Sequence, residues 1–313
     1  MGTPAFSLPT LTGLVQAHEN VVAVVTRPDA PKGRGRRLAP PEAKVEAQRM
    51  GIPVLQPAKL KNPDILSALQ ELNPEVIVVA AYGKILPAGV LALPPHGCLN
   101  LHPSLLPKYR GPAPIQWAIL RGEKKTGVSI IQLTDKMDAG PILLQKEVDI
   151  LEDETAGELS MRLSHVGAEL MVDAVKAIEQ GKAVYGAQNE EEASLAPFIK
   201  KEDGEIAWTL SAVEIRDKIR GLLPWPGAFT FLLGKRIKIL KGRAEESRVS
   251  AAPPGTITEV SRDGFRIATG KGDLVILEIQ MEGKTRMSAG EFLLGHKVSE
   301  GICLLYTSDA ADE

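Results

Sequence analysis

Asn100 and His102 stand two residues apart in Gly97–Arg110, GCLNLHPSLLPKYR. In an extended segment, residues i and i+2 share a face, so the amide and the imidazole project together from a strand's C-terminal end. Pro103 then turns the chain out of the sheet into an extended loop. In open α/β sheets that edge is where ligands bind. Both side chains can donate to a developing oxyanion, and an imidazole changes protonation near neutral pH. The same pair also fits a histidine whose hydrogen bonds are simply satisfied at a strand end, and spacing leaves both readings open.

Thr134–Gly140, TDKMDAG, follows directly on the apolar run Gly127–Leu133. A carboxylate there could orient the imidazole and help take a proton from an incoming nucleophile. Asp135 or Asp138 could equally close an Asx turn, with Gly140 serving a tight turn. Spacing does not choose between the two aspartates. A third cluster, Lys32, Arg34, Arg36 and Arg37, lies among glycines and prolines in Arg27–Lys44, RPDAPKGRGRRLAPPEAK. That composition predicts a long, mobile, exposed loop, suited to a phosphate backbone or simply to solubility. Gly2-Thr3-Pro4 does not make a G-x-G-x-x-G dinucleotide fingerprint. His18, His96, His165 and His296 have no metal-like spacing to one another or to cysteine, so no metal site is expected. Trp117, Trp208 and Trp225 are too scattered for a stacking platform.

An alternation of strands and helices must carry these residues. Val21–Thr26 and Glu75–Ala81 are short apolar runs of the kind found in buried parallel strands. Gly97–Leu101 and Gly127–Leu133 are two more strands. Helical spacing covers Pro41–Met50 and Asn62–Leu72, the second with Asn62 as N-cap and Pro63 at the first helical position. Thr155–Gln180 is a long amphipathic helix with a Thr155/Glu158 capping box and Gly181 just past its end. The alternation predicts a doubly wound, mostly parallel α/β sheet over residues 1–182. Residues 183–198 are polar and irregular and read as a linker. Ser211 with Glu214 opens one further helix. Ala228–Leu233, Arg236–Leu240, Gly255–Glu259, Phe265–Ala268 and Asp273–Gln280 are short strands, which suggests a small barrel or sandwich over 199–302.

Composition bounds the function classes. The 313 residues carry 37 Lys/Arg and 39 Asp/Glu, so a globally basic nucleic-acid coat is excluded. Charge is nevertheless uneven: Arg216–Arg248 holds nine basic against three acidic residues. That stretch is a basic patch or a solvated charged face. Two cysteines, Cys98 and Cys303, are too few for a disulfide framework or a four-ligand zinc site. The apolar runs are far short of the roughly 20 residues needed to cross a bilayer. MGTPAFSLPTLTG lacks the features of a signal peptide. A soluble, cytoplasmic protein is expected.

The string NLHPSLLPKYRGPAPIQWAI, followed by Asp138 in MDAG, resembles the formyltransferases that use 10-formyltetrahydrofolate. Within them the chain is most similar to the branch acting on methionyl-tRNA, through RPDAPKGRGRRLAPPEAK, AYGKILP, LLPWPGAF and MSAGEFL. The resemblance runs over residues 1–302. It implies that Asn100, His102 and Asp138 are the catalytic trio, with Asn100 and a protonated His102 holding the oxyanion. Asp138 would then orient His102 and help deprotonate the amine. It implies that Ser104, Leu105, Leu106 and Pro107 contact the folate, a formyl-donor co-substrate. Lys32, Arg34, Arg36 and Arg37 would reach the initiator tRNA, and the second domain would be an OB-like β-barrel whose basic stretch lies along the tRNA. A monomer acting on methionyl initiator tRNA and folate, without metal or membrane, is the expected state. The competing expectations are formyl transfer to glycinamide ribonucleotide or an amino sugar, and a non-catalytic RNA-binding module.

Two departures from the family pattern accompany the resemblance. Its members carry a further strand ahead of the segment matching MGTP, so the first strand is expected to be missing here. Residues 303–313, CLLYTSDAADE, leave the pattern and read as a foreign or disordered tail.

Overall fold

Local signals place several helices. Asn62 accepts a hydrogen bond from Asp64 N, with Pro63 behind it opening the helix. Thr155 and Glu158 close a reciprocal box, and Ser211 with Glu214 closes another. The computed structural model describes residues 1–32, 37–232, 234–247 and 251–304. Within these, the chain runs through α1 (Leu8–Gln16), β1 (Val24–Val25), β2 (Ala30–Lys32), β3 (Arg37–Ala39) and α2 (Glu42–Arg49). It continues through β4 (Val54–Leu55), α3 (Pro63–Glu71), β5 (Ile77–Ala80), α4 (Ala88–Leu91) and β6 (Cys98–His102). Next come α5 (Pro114–Leu120), β7 (Lys125–Gln132), β8 (Ile142–Asp149), α6 (Ala156–Glu179) and α7 (Ala212–Gly221). The chain divides into two compact units. Met1–Pro114, Lys125–Asp149 and Ser160–Pro197 form the first, and Ile115–Lys124, Ile150–Leu159 and the chain from Phe198 form the second.

In the first unit β1 pairs with β4 and β5 with β6, both in parallel. Gly2 bridges Ala80 in parallel and donates to Val25 O, so the first residues lie between β1 and β5. β7 and β8 run antiparallel. The expected parallel sheet therefore covers one half of the unit, and an antiparallel pair completes the other. β6 lies between β5 and β7, with Leu99 and Leu101 buried. The loop expected over Arg27–Lys44 is instead framed by a hairpin, in which Ala30 pairs with Ala39 and Lys32 with Arg37. Its base is tied by Asp29, which accepts from Lys44 Nζ at 2.8 Å and from Gln56 Nε2 at 2.7 Å. Arg37 is exposed, whereas Arg34, Arg36 and the side chain of Lys32 lie outside the described residues.

A cleft of about 570 Å³ lies among residues that include Val21–Val25 on one flank and Glu75–Val78 on the other. Of the strand expected at Val21–Thr26, only Val24–Val25 pairs, with β4. The Met1 ammonium donates to Val78 O in this same region. Its burial pulls the pKa down from 8.0 to about 6. Between those values the unfolded chain binds more protons than the folded one, so stability rises with pH across that window and is lost below it. The 313-residue chain should gain about 2–3 kcal/mol between pH 6 and 8 from this group. Melting curves at both pH values, beside the same chain acetylated at Met1, test this. Equal pH slopes for the two would refute it.

The second unit adds β9 (Ala228–Leu232), β10 (Lys235–Glu245), β11 (Ile257–Ser261), β12 (Gly264–Ala268), β13 (Asp273–Met281), β14 (Arg286–Ser288) and α8 (Ala289–Gly295). Its antiparallel pairing runs β11–β12–β13–β10–β9, with β14 on β13. Among the described residues no ladder joins β11 to β9. Trp208, Ile215, Ile239, Ile257, Phe265 and Ile276 form its core. β10 runs five residues past its expected end at Leu240 and is irregular around Lys241. At Gly242 a Cβ would sit 3.3 Å from both Ile219 and Leu274, so the missing side chain lets α7 lie close to the sheet. The basic stretch Arg216–Arg248 is not a uniform outer face. Arg220 is buried against Asp217, with Nε to Oδ1 at 2.8 Å, and Arg216 shares the same oxygen at 3.1 Å.

Candidate active site

The strand β6 ends at His102, and its alternation sends Leu99 and Leu101 to one face and Asn100 and His102 to the other. His102 is 4% exposed, while Asn100 is half-buried. His102 Nε2 lies 2.9 Å from Tyr109 O. A carbonyl only accepts, so that contact assigns the neutral ring's proton to Nε2 and leaves a lone pair on Nδ1. Nδ1 faces Asp138 Oδ2 at 3.7 Å. This is close enough for strong electrostatic coupling and too long for a hydrogen bond. Asp138 Oδ2 accepts from Gly111 N at 2.9 Å. Asp135, the other aspartate of the loop, is exposed.

Burial pushes the His102 pKa down, and the Asp138 charge with the Tyr109 carbonyl only partly offsets it. Burial favours the neutral imidazole. Desolvation thus works against the protonated His102 that the resemblance implies, and the neighbouring carboxylate works for it. A neutral ring with a free Nδ1 lone pair is a proton acceptor, and the carboxylate opposite stabilises the imidazolium once formed. Cys98, on the same strand, is core: burial raises its thiol to about 11, which leaves little thiolate.

Two loops hold this pair. Tyr109 and Asp138 both have left-handed backbones, with φ of 62° and 51°. At Gly111 a Cβ would stand 2.7 Å from Ala196 O, so a glycine is required there by close approach. Gly140 serves the same purpose just past the turn in which Ala139 N donates to Lys136 O: a Cβ there would overlap Gln132 O. The Ser104–Pro107 segment is fastened from within. Ser104 Oγ donates to Lys108 O at 2.7 Å, and Ser129 Oγ donates to Ser104 O at 2.6 Å. Gln145 Nε2 donates to Leu106 O at 2.8 Å. Ser104 and Leu106 are thus buried, leaving Leu105 and Pro107 half-exposed. Ser129, Gln145, Arg110 and Gln188 all brace the site and went unnoticed in the sequence, because each partner lies on a different element. Among the described residues no group of three or more His, Cys, Asp or Glu could hold a metal ion.

Comparison with known proteins places these residues in a family. The formyl transferase family model matches residues 2–175, and that of the formyl transferase C-terminal domain matches 198–297. Methionyl-tRNA formyltransferase of Citrifermentans bemidjiense is 46% identical over 301 residues, covering 96% of this chain and 94% of that protein. The enzyme of the same name from Caldanaerobacter subterraneus subsp. tengcongensis is 47% identical over 305 residues, covering 97% and 98%. In fold, the chain is similar to an N-formyltransferase from Helicobacter canadensis, with a TM-score of 0.65 at 18% identity over 90% of this chain and 97% of that one. With both domain models matched and near full-length relatives at this identity, the chain belongs to the formyl transferase family, among the methionyl-tRNA formyltransferases.

Proposed function

We propose that this protein transfers the formyl group of 10-formyltetrahydrofolate to the α-amine of methionyl initiator tRNA, the step that prepares the initiator for translation. The observation that carries this reading is the buried His102 facing Asp138 at 3.7 Å, on the strand that also presents Asn100. The amine attacks the formyl carbon, forming the new C–N bond and a tetrahedral oxyanion. Asn100 donates to that oxygen. The amine's proton passes to His102 Nδ1, and Asp138 stabilises the resulting imidazolium. Collapse breaks the bond between the formyl carbon and N10, and the imidazolium returns the proton to that nitrogen. Leu105 and Pro107, with the backbone of Ser104–Pro107, border the folate.

In this reading residues 1–182 make the catalytic domain, completed by the stretch that runs on to Pro197, and residues 199–302 are an OB-like module that meets the tRNA backbone. Lys32, Arg34, Arg36 and Arg37 would reach the acceptor end; Asp29, Lys44 and Gln56 tie the base of the β2–β3 pair that carries Arg37. The protein works as a cytoplasmic monomer. Formyl transfer to charged initiator tRNA, measured beside glycinamide ribonucleotide and a nucleotide-linked amino sugar, tests the substrate. Turnover on either small amine with none on the tRNA would replace this reading. Affinity for the tRNA should fall steeply with salt, and Arg37→Glu should raise the tRNA KM while leaving the folate KM unchanged. Salt-independent tRNA binding would count against the basic hairpin as the contact.

A further inference from the structure

We infer that Gln188, itself oriented by Arg110, is a positioning residue that holds Asp138 opposite His102. This rests on the reading of Asp138 as a member of the trio. Gln188 lies in the stretch whose sequence suggested a linker. In the first unit it donates through Nε2 to Asp138 O at 2.8 Å and to Gly140 O at 2.7 Å. Its Oε1 accepts from Arg110 Nε at 3.0 Å and Nη2 at 2.8 Å. Two donor and two acceptor positions are thereby used, which is the full capacity of a primary amide.

The direction of that amide follows from its partners. A guanidinium has no acceptor, so the oxygen must face Arg110 and the nitrogen must face the Asp138 loop. Arg110 is buried and is held in turn by Glu190, through Nη1–Oε2 at 2.9 Å and Nη2–Oε1 at 2.8 Å. Its backbone pairs with the same stretch, Arg110 N to Ser194 O at 2.8 Å and Ala196 N to Arg110 O at 2.7 Å. Asp138 has a left-handed backbone, φ 51°, which an aspartate tolerates, and the carbonyl behind it is held in that turn by Gln188. Gly111 N holds the carboxylate and Gln188 holds the backbone behind it. Tyr109, whose carbonyl holds His102, precedes Arg110 directly. One closed circuit, from His102 through Tyr109, Arg110 and Gln188 to Asp138, therefore sets the separation of the two groups.

The test is Gln188→Met, which keeps the length and removes both donors, with Gln188→Glu measured in parallel. In the second variant a carboxylate would oppose two carbonyls, so both variants should lose the loop's support; any variant that keeps the melting behaviour of the parent decides. The formyl-transfer kcat should fall about 10–100-fold, since displacing a reacting group by about 1 Å has that scale. The folate KM should stay within about twofold, a spread small beside the expected kcat loss. The acid limb of kcat/KM should move to lower pH, because an Asp138 charge held further from Nδ1 raises the imidazole pKa less. A drop in kcat with an unmoved limb would assign Gln188 a merely structural role and overturn the inference. So would wild-type kinetics in these variants while Asp138→Ala is slow. Near-normal turnover of Asp138→Ala would instead overturn the trio itself.

Discussion

Asn100→Ala lowers the kcat of formyl transfer by about 10²–10³-fold, the usual cost of removing one donor to an oxyanion. Asn100 is half-buried at the open end of β6, so its truncation leaves the strand's core face untouched. His102→Ala and Asp138→Ala are at least as slow. The first removes the proton acceptor, and the second removes the charge that stabilises the imidazolium. Asp135→Ala keeps parental turnover, because that carboxylate is exposed on the loop's outer side. Single-turnover rates for the four variants decide the assignment, with melting curves to confirm that each is folded. A slow Asp135→Ala beside a fast Asp138→Ala would reverse the two aspartates' roles.

Asp217→Ala should cost about 3–5 kcal/mol of stability, the scale for leaving a buried charge without its partner. The Asp217 and Arg220 side chains are only 3% and 7% exposed, and Arg220 also donates to Leu151 O and Glu154 O. Those carbonyls would fix the guanidinium in place after its counter-charge is gone. Asp217→Asn keeps an acceptor at the same reach and should cost less. Trp117, Trp208 and Trp225 all belong to the second unit, so tryptophan fluorescence during urea unfolding follows that unit alone. A loss below about 1 kcal/mol would mean that the main-chain acceptors alone satisfy Arg220, a cost usual for ordinary hydrogen bonds.

Helix starts were the most legible part of the sequence, because a capping box is written within four residues: Thr155 with Glu158, and Ser211 with Glu214. Longer-range features were not. β8 carries Gln145, Lys146 and Glu147 in its middle, all three exposed, so its apolar alternation is broken and no strand is expected there. α1 hides behind Thr10, Thr12 and Gly13, all poor helix formers; its helix is stabilised by packing, with Gly13 close to Ala168 and Val172 of α6. The Asn100/His102 pair was visible through the two-residue period of a strand. The choice of Asp138 over Asp135 came from family likeness alone, since a loop has no period from which to derive it. The balance that sets the His102 proton is illegible for a related reason: the sequence displays the carboxylate but not the depth of burial.

Gln188 stands fifty residues beyond Asp138 along the chain and reaches it only through the fold. The first unit accordingly extends to Pro197, past the end of its last long helix at Glu179. This bears on how the gene can be divided. A fragment cut at residue 182 would retain every member of the trio, and so would satisfy any motif search, yet would lack the brace behind Asp138. Recombination, domain grafting or split-protein designs that join a foreign partner here should therefore place the crossover after Pro197. Proteases that nick between 186 and 197 would act as inactivators while leaving the catalytic side chains chemically intact.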